Sequence, residues 1–294
     1  MLIGKNLSLF RILKITWKVD LLMIAFCSMV YFVDTRYLVT FKLPIAFSAL
    51  MGTAIAFFIG FNNNQAYDRW WEARTIWGGI VNDSRSWGRE LIANNLDQTA
   101  TKRMIYRHIG FLYALTAFLR RIDDNSYREF IPDSDLHQIT PGSHIPNVLL
   151  RIQSQELKQL KTNNYLSEFE FYSLNKLLQN FCDGMGKSER INNTVFPINY
   201  VFFTKLFIWL FIALITLSTN DEVGWPSIIL GWLMGFVFNT IQLNGMNLMN
   251  PFEYQPSGVP ISSITRNIEI NLLQELNEEY IPSPLPSVKD EYIL

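Results

Sequence analysis

Residues 44–79 read PIAFSALMGTAIAFFIGFNNNQAYDRWWEARTIWGG, an apolar run followed by amides and then by aromatic and charged side chains. The apolar part, from Pro44 to Phe61, is close to the roughly 20 residues that a helix needs to cross the hydrocarbon core of a bilayer. Pro44 suits the first turn of a helix, because the N–H that it lacks would have no partner there. The stretch predicts a membrane helix that leads into a polar, tryptophan-rich segment.

Three further apolar stretches bring the total to four, arranged as two pairs. They run from Leu21 to Val33, from Ile198 to Leu217 and from Val223 to Leu243. The first is too short to cross the bilayer alone at about 1.5 Å per residue, so it must extend into its flanks or lie inside an assembly. We predict an all-α membrane protein with four transmembrane helices; two or three spans are the alternatives.

The composition also favours a membrane protein. Of the 294 residues, 49% are hydrophobic and 17% are charged, whereas a soluble domain usually carries about 25% charged residues. The formal net charge of −1 offers no basic excess for phosphates, so no nucleic-acid partner is expected. The two cysteines are far apart in the sequence and predict neither a disulfide framework nor a zinc site.

The long region between the two pairs is mostly polar and has helical periodicity. Apolar residues recur at 3.6-residue spacing in three of its segments, and a fourth such segment follows the last apolar run. The segments are Glu90–Arg121, Asn147–Lys161, Ser167–Asn180 and Ser262–Tyr280. This pattern predicts a large helical domain outside the membrane.

Basic residues predict which parts face the cytoplasm. Lys and Arg concentrate in the N-terminal segment and just after the second apolar run, and the loops 34–42 and 218–222 hold far fewer. By the positive-inside tendency, both termini and the middle region are cytoplasmic, in a multi-pass protein of the cell (plasma or inner) membrane. The predicted parts are residues 1–61 with membrane helices 1 and 2, 62–194 as a cytosolic helical domain, 195–246 with membrane helices 3 and 4, and 247–294 as a cytosolic C-terminal segment.

The sequence does not predict an enzyme. Gly186-Lys187-Ser188 matches the end of a phosphate-binding loop, but Phe181 stands where that loop requires its first glycine. The three histidines lack the spacing of metal ligands; they are His108, His137 and His144. We expect no catalytic group, no metal site and no cofactor.

The second apolar run carries two stripes at helical spacing. Small residues at every fourth position allow helix backbones to approach closely in lipid; they are Gly52, Ala56 and Gly60. The other stripe lies about 100° away around the helix and holds Thr53, Phe57 and Phe61.

If several copies of this helix surround an axis, the second stripe lines a narrow apolar passage. Such a constriction can gate by excluding water. The alternative is that Phe57 and Phe61 face lipid or a neighbouring helix. The amides that follow, Asn62, Asn63 and Asn64, are suited to hydrating a passing ion; their alternative is an ordinary interfacial segment with tryptophan anchors.

This run resembles the bestrophin family, specifically its prokaryotic branch. The resemblance covers nearly the whole chain, and the arginine–tryptophan run is its most specific part. The resembling residues are Gly60-Phe61, Asn63-Asn64, Tyr67, Arg69-Trp70-Trp71-Glu72-Ala73-Arg74, Trp77-Gly78, Glu189-Arg190-Ile191, Asn193-Thr194, Pro197 and Asn250-Pro251-Phe252.

The resemblance implies a pentamer around a central pore, with four membrane helices and a large cytosolic helical domain in each subunit. It implies that the pore has a neck at Thr53, Phe57 and Phe61. It also implies a second, cytosolic aperture just before Pro197, where either Val195 or Phe196 is the lining side chain.

Two positions depart from the family pattern. Thr53 stands where similar bacterial chains carry an aliphatic residue, so the outermost neck ring would be partly polar. Animal members follow Asn-Pro-Phe with an acidic run that binds calcium, whereas here Glu253 is the only carboxylate in residues 253–257. Since calcium prefers six to eight oxygen ligands, no calcium clasp is expected.

The resulting prediction is a homopentameric channel that passes small monovalent ions through the lipid bilayer, with chloride slightly preferred from the breadth of the family. The first alternative is a channel of the same architecture that selects sodium or other monovalent cations. A secondary transporter is a second alternative, although Lys205 is the only charge well inside a predicted span and no repeat is apparent. A membrane-anchored sensor is the third.

Overall fold

The computed structural model describes residues 9–38, 42–94, 96–194 and 198–288. Within these residues the chain forms nine α-helices and one 3₁₀ turn, Ser126–Phe130. The helices are α1 (Leu9–Tyr37), α2 (Ile45–Ala93), α3 (Gln98–Arg120), α4 (Asp133–Leu136), α5 (Ile145–Thr162), α6 (Glu168–Asn193), α7 (Ile198–Val223), α8 (Pro226–Met249) and α9 (Ile261–Glu275).

Four of the described helices are long and apolar enough to cross a membrane, which confirms the predicted fold class of an all-α chain with four spans. The candidate spans are Ile12–Tyr37, Ile45–Ala93, Asn199–Val223 and Pro226–Met249. The short first run does extend into its flank, because α1 begins at Leu9 and not at Leu21.

The described residues divide into two compact units. The membrane unit comprises residues 9–69 and 198–249, and the polar unit comprises residues 70–194 and 250–288. Helix α2 is one continuous helix of 49 residues and contributes to both units. The amides and tryptophans that follow its apolar part therefore continue the same helix.

The core of the membrane unit is apolar and draws on all four of its helices. Its buried residues are Met23, Cys27, Ile55, Ile59, Ile208, Phe211, Ile212 and Phe238. On α2 the buried positions Ile55 and Ile59 recur at helical spacing, so one face of α2 lies against the rest of the unit.

Two glycines of α8 that the sequence analysis did not single out allow close helix packing in this unit. A Cβ atom on Gly235 would lie 2.9 Å from Cγ2 of Ile212 and 3.0 Å from Sδ of Met23. A Cβ on Gly231 would lie 2.9 Å from Sγ of Cys27. Gly231 and Gly235 form a small-xxx-small pair, and their missing side chains let α8 approach α1 and α7.

The small-residue stripe on α2 has different surroundings at its two ends. At Gly52, a Cβ would lie 3.0 Å from the ring of Phe211, so this glycine accommodates α7 of its own chain. At Gly60, a Cβ would lie within 4 Å of no described atom outside its own stretch of α2. The stripe therefore packs within the subunit at one end and stays open at the other.

The polar unit is built around α3, which contacts the 3₁₀ turn, α5, α6 and α9. Its largest fully buried side chains are aromatic: Trp77, Trp87, Phe111, Phe181 and Phe252. Aromatic side chains of this size bury a large apolar area in the interior of the unit.

Sequence periodicity located the helices of the polar unit, with errors at their ends. The periodic segment Glu90–Arg121 contains the end of one helix and the whole of the next, because α2 ends at Ala93 and α3 begins at Gln98. The residues between them include Asn94 and Asp97, types that compete with the helical backbone for hydrogen bonds. Helix α6 begins with a capping box of Ser167 and Glu170 and continues to Asn193.

Candidate functional site

The stripe of Thr53, Phe57 and Phe61 lies on the face of α2 that its own unit leaves open. Phe57 is 69% exposed and Phe61 is 52% exposed, whereas Ile55 and Ile59 are 3% and 2% exposed. The two phenyl rings therefore point away from the core of the membrane unit. Apolar rings at this exposure in a membrane helix are available to lipid or to another copy of the chain.

The rings of Phe57 and Phe61 contact each other. Their centroids are 4.5 Å apart and their planes meet at 82°, an edge-to-face pair. One turn before them, the hydroxyl of Thr53 donates to the carbonyl of Ala49 at 2.9 Å. The Thr53 proton is thus engaged within the helix, and its oxygen offers only acceptor capacity to the open face.

The ring of Phe58 packs against a neighbouring helix of the same unit and serves as a comparison for Phe57 and Phe61. Its ring stacks on Tyr200, with centroids 5.5 Å apart, and meets Phe207 edge-on at 6.4 Å. Both partners lie on α7. In the described part of the chain, Phe58 therefore has ring partners on a neighbouring helix, whereas Phe57 and Phe61 have a ring contact with each other.

The three asparagines that follow the neck residues have different surroundings. Asn62 donates from Nδ2 to the hydroxyl of Thr204 at 3.4 Å, and Asn63 donates to the carbonyl of Ile241 at 3.1 Å. Asn63 also lies so close to Gly245 that a Cβ there would overlap its Oδ1. Two amides thus connect α2 to α7 and α8, and Asn64 is left exposed.

The predicted aperture residues Val195 and Phe196 lie outside the described residues, as does Pro197. Helix α6 ends at Asn193 and α7 begins at Ile198 on either side of them. The choice between Val195 and Phe196 stays a prediction.

A carboxylate borders the first apolar run and falls inside the first candidate span. Asp20 lies within the span Ile12–Tyr37 and is 6% exposed. Its Oδ2 accepts from the hydroxyl of Thr16 at 2.6 Å, and its Oδ1 has no hydrogen-bond partner among the described residues. Like Lys205, Asp20 therefore lies within a candidate span, because α1 begins before the apolar run of residues 21–33.

Polar contacts also join α7 to α1 and to α2 near the ends of these helices. Asn220 donates from Nδ2 to Oδ2 of Asp34 at 2.7 Å, and the hydroxyls of Ser48 and Ser218 are 2.9 Å apart. These groups are buried or half-buried, so their hydrogen bonds offset the cost of removing them from water.

The polar unit holds a buried ionic network centred on Arg107. Its Nε donates to Oδ2 of Asp135 at 2.7 Å, and a second nitrogen donates to Glu156 at 2.6 Å and to Gln153 at 2.8 Å. Burial works to raise the pKa of Glu156, but the hydrogen bond from Arg103 and the charge of Arg107 hold that pKa below its usual value. Three elements, α3, α4 and α5, meet at this network.

His108 follows Arg107 on α3 and faces an aromatic pocket. Its Nε2 lies 2.9 Å from the hydroxyl of Ser84, which donates its own proton to the carbonyl of Ile80. Nε2 is therefore the donor, and Nδ1 has no hydrogen-bond partner among the described residues. The ring of Phe181 lies 4.3 Å away, centroid to centroid. Burial lowers the pKa of His108 to about 3, so the imidazole is neutral near pH 7.

Acidification should reduce the stability of the polar unit through His108. In the unfolded chain the imidazole takes up a proton near its usual pKa of about 6.5, whereas in the folded unit it stays neutral down to about pH 3. The contribution to stability is complete above the unfolded pKa and is lost as the pH falls between these values.

Thermal unfolding between pH 7 and pH 4 measures this effect against His108→Gln, whose amide keeps a donor near Ser84 but does not titrate. The melting temperature of the wild type should fall more steeply than that of the variant. Parallel curves for the two proteins would contradict the assignment.

Comparison with known proteins agrees with the resemblance inferred from the arginine–tryptophan run. A family model described as Bacterial/Fungal Bestrophin protein matches residues 10–274. The voltage-dependent anion channel-forming protein YneE of Salmonella typhi is 29% identical over 243 residues, which cover 82% of this chain and 80% of that protein. A voltage-dependent anion channel-forming protein of Nostoc sp. is 27% identical over 235 residues, covering 78% and 76% respectively.

A solved structure shows the same fold. The crystal structure of a bacterial bestrophin homologue from Klebsiella pneumoniae aligns with a TM-score of 0.83 at 23% identity, over 89% of this chain and 98% of that one. Since the family match spans nearly all of the described helices, the chain belongs to the bacterial and fungal bestrophins.

Proposed function

We propose that the chain is the subunit of a passive channel for small monovalent ions, with chloride slightly preferred. The observation that carries the proposal is the open face of α2, where Phe57 and Phe61 are exposed although they lie in a membrane span. Relatives that match about four-fifths of the chain are named as anion channel-forming proteins, which supports the preference for anions.

The assembly in this proposal is a homopentamer, in which five copies of α2 surround the pore. Thr53, Phe57 and Phe61 form its neck, and Asn64 lies on the same face below it. Val195 or Phe196 forms a cytosolic aperture. Asn62 and Asn63 contribute mainly by fixing α2 against α7 and α8.

The proposed orientation places both termini and the polar unit in the cytoplasm of a plasma or inner membrane. Its support is the distribution of Lys and Arg, which crowd the segments before the first span and after the apolar part of the second. The cytosolic domain of residues 62–194 and the C-terminal segment of residues 247–294 follow from this orientation.

Recording from purified protein in planar bilayers or liposomes tests the proposal. We expect discrete single-channel steps with a linear current–voltage relation near zero potential, and native mass spectrometry in mild detergent should show five copies. Protein-free membranes are the control. A stable monomer, or the absence of steps from correctly folded protein, would overturn the proposal.

The buried carboxylate of Asp20 favours keeping a secondary transporter as the second candidate. Ionisable groups inside membrane spans often belong to ion or proton pathways. A transporter would give saturable flux coupled to an ion gradient, without unitary current steps. Flux that disappears in Asp20→Asn, together with a lack of steps in the wild type, would favour that candidate.

Current through the channel should not require micromolar calcium. Oε1 of Glu253, the only carboxylate in residues 253–257, accepts from Asn250 at 2.7 Å. In the part of the chain that the structure describes, no group of three or more His, Cys, Asp and Glu could hold a metal ion. Calcium needs more oxygen ligands than one carboxylate supplies.

Bilayer recordings with a calcium chelator on both sides check this expectation. Open probability should be the same before chelation, during it and after calcium is restored. A current that disappears with the chelator and returns with calcium would show that a binding site exists elsewhere.

A further inference from the structure

We propose that Asp68 is a selectivity-determining residue, whose carboxylate raises the permeability of cations relative to anions at the inner end of the pore. The inference rests on the proposed function, because it requires the open face of α2 to line an ion pathway. Asp68 itself is not part of the proposed neck, the proposed aperture or the three asparagines.

Helix geometry places Asp68 on the same face as the neck rings. It follows Phe57 by eleven residues, which at 3.6 residues per turn leaves it about 20° away around the helix axis. The neighbouring cations point elsewhere, since Arg69 lies about 120° from Phe57 and Arg74 about 100° away in the opposite sense. Helix α2 is unbroken over all these positions.

Exposure and pairing support this placement. Asp68 is exposed, and it forms no ion pair or hydrogen bond that would neutralise it with another residue in the described ranges. By contrast, the next carboxylate on α2, Glu72, pairs with Arg190. Of Asp68 and Glu72, the first two acidic residues after the amides, only Asp68 therefore keeps an uncompensated charge within the described part of the chain.

Electrostatics gives the direction and the scale of the effect. Asp68 follows Phe61 by seven residues. In the proposed pentamer, the five copies of Asp68 therefore form a ring of carboxylates about 10 Å further along the axis than the neck. Rings of Asp or Glu are the usual device by which a pore concentrates cations. One carboxylate about 6 Å from an ion changes its local concentration about threefold even at the dielectric constant of water. Removing five such charges should therefore produce a measurable shift.

The test is the reversal potential in asymmetric KCl. In Asp68→Asn, the ratio of cation to anion permeability should fall at least about threefold, and in Asp68→Lys it should fall further. Asp123→Asn, which removes an exposed carboxylate in the loop after α3, is the control and should leave the ratio unchanged. An unchanged ratio in both Asp68 variants, measured in channels that conduct, would overturn the inference.

Cysteine substitution gives an independent readout. Asp68→Cys in a Cys182→Ser background removes the exposed native thiol and leaves Cys27, which is buried. A cationic thiol reagent should then shift the reversal potential towards anion selectivity, and an anionic reagent should restore cation permeability. Thiols that react without changing the reversal potential would place Asp68 on a solvated surface away from the pathway.

The two proposals fail in different ways. If the wild type gives no single-channel steps, the channel function itself is lost and the ratio cannot be measured. If the wild type conducts and the ratio does not respond to the charge at position 68, only the role of Asp68 is lost.

Discussion

Replacing Arg107 by Met should lower the free energy of unfolding of the polar unit by about 3–5 kcal/mol, the usual cost of removing one partner from a buried ion pair. The side chain of Arg107 is 3% exposed, and it binds Asp135 and Glu156 through separate nitrogens. The variant leaves the buried Asp135 without this cation and leaves Glu156 with Arg103 alone. Chemical denaturation of the purified protein, followed by tryptophan fluorescence, measures the loss.

Arg103→Met is the matched control. Arg103 lies one turn earlier on α3 and also pairs with Glu156, but its side chain is 40% exposed. Because water solvates exposed charges, Arg103→Met should lower the free energy of unfolding by at most about 1 kcal/mol. A loss of about 1 kcal/mol or less in Arg107→Met would mean that the network contributes no more than a surface pair.

A second large effect is expected at the neck: Phe57→Ala should raise the single-channel conductance or the open probability. In the proposed pentamer, five phenyl rings at one level offer a hydrated ion no hydrogen bonds, and passage there costs desolvation. Truncation widens the passage and admits water. Thr53→Ala should matter less, because the threonine proton already bonds to the carbonyl of Ala49.

Phe58→Ala tests whether the effect belongs to the face or to the loss of a ring. Phe58 is the adjacent residue, but its ring packs on Tyr200 and Phe207 of its own subunit. This variant should lose thermal stability and keep the unitary conductance of the wild type. If Phe57→Ala behaves in the same way, with unchanged conductance and open probability, then the ring faces lipid and the neck assignment fails.

The sequence alone was sufficient to predict an all-α chain with four membrane-spanning helices. Four apolar stretches with few charges identified the four spans, because backbone groups in lipid must be satisfied within helices. The stripe of Phe57 and Phe61 was also visible, since 3.6-residue spacing places both rings on one face of α2. Neither step needed any knowledge of tertiary contacts.

Helical periodicity could not predict the contacts between distant parts of the chain. Three consecutive asparagines look equivalent in the sequence, yet Asn62 and Asn63 bond to other helices while Asn64 stays exposed. The glycine pair of α8 was overlooked in a run of bulky apolar residues, although Gly231 and Gly235 let this helix approach α1 and α7 closely. Such roles depend on which helix faces which, and periodicity does not encode that.

The contact between Asn63 and Gly245 has a consequence for how this family can diverge. The backbone of α8 approaches α2 so closely that the Asn63 amide fills the space of a side chain at position 245. Lineages that acquire a larger residue at 245 should therefore carry a smaller one at 63, and the hydrogen bond to Ile241 should be lost with the exchange. The two positions, far apart in the sequence, would then be inherited as a pair.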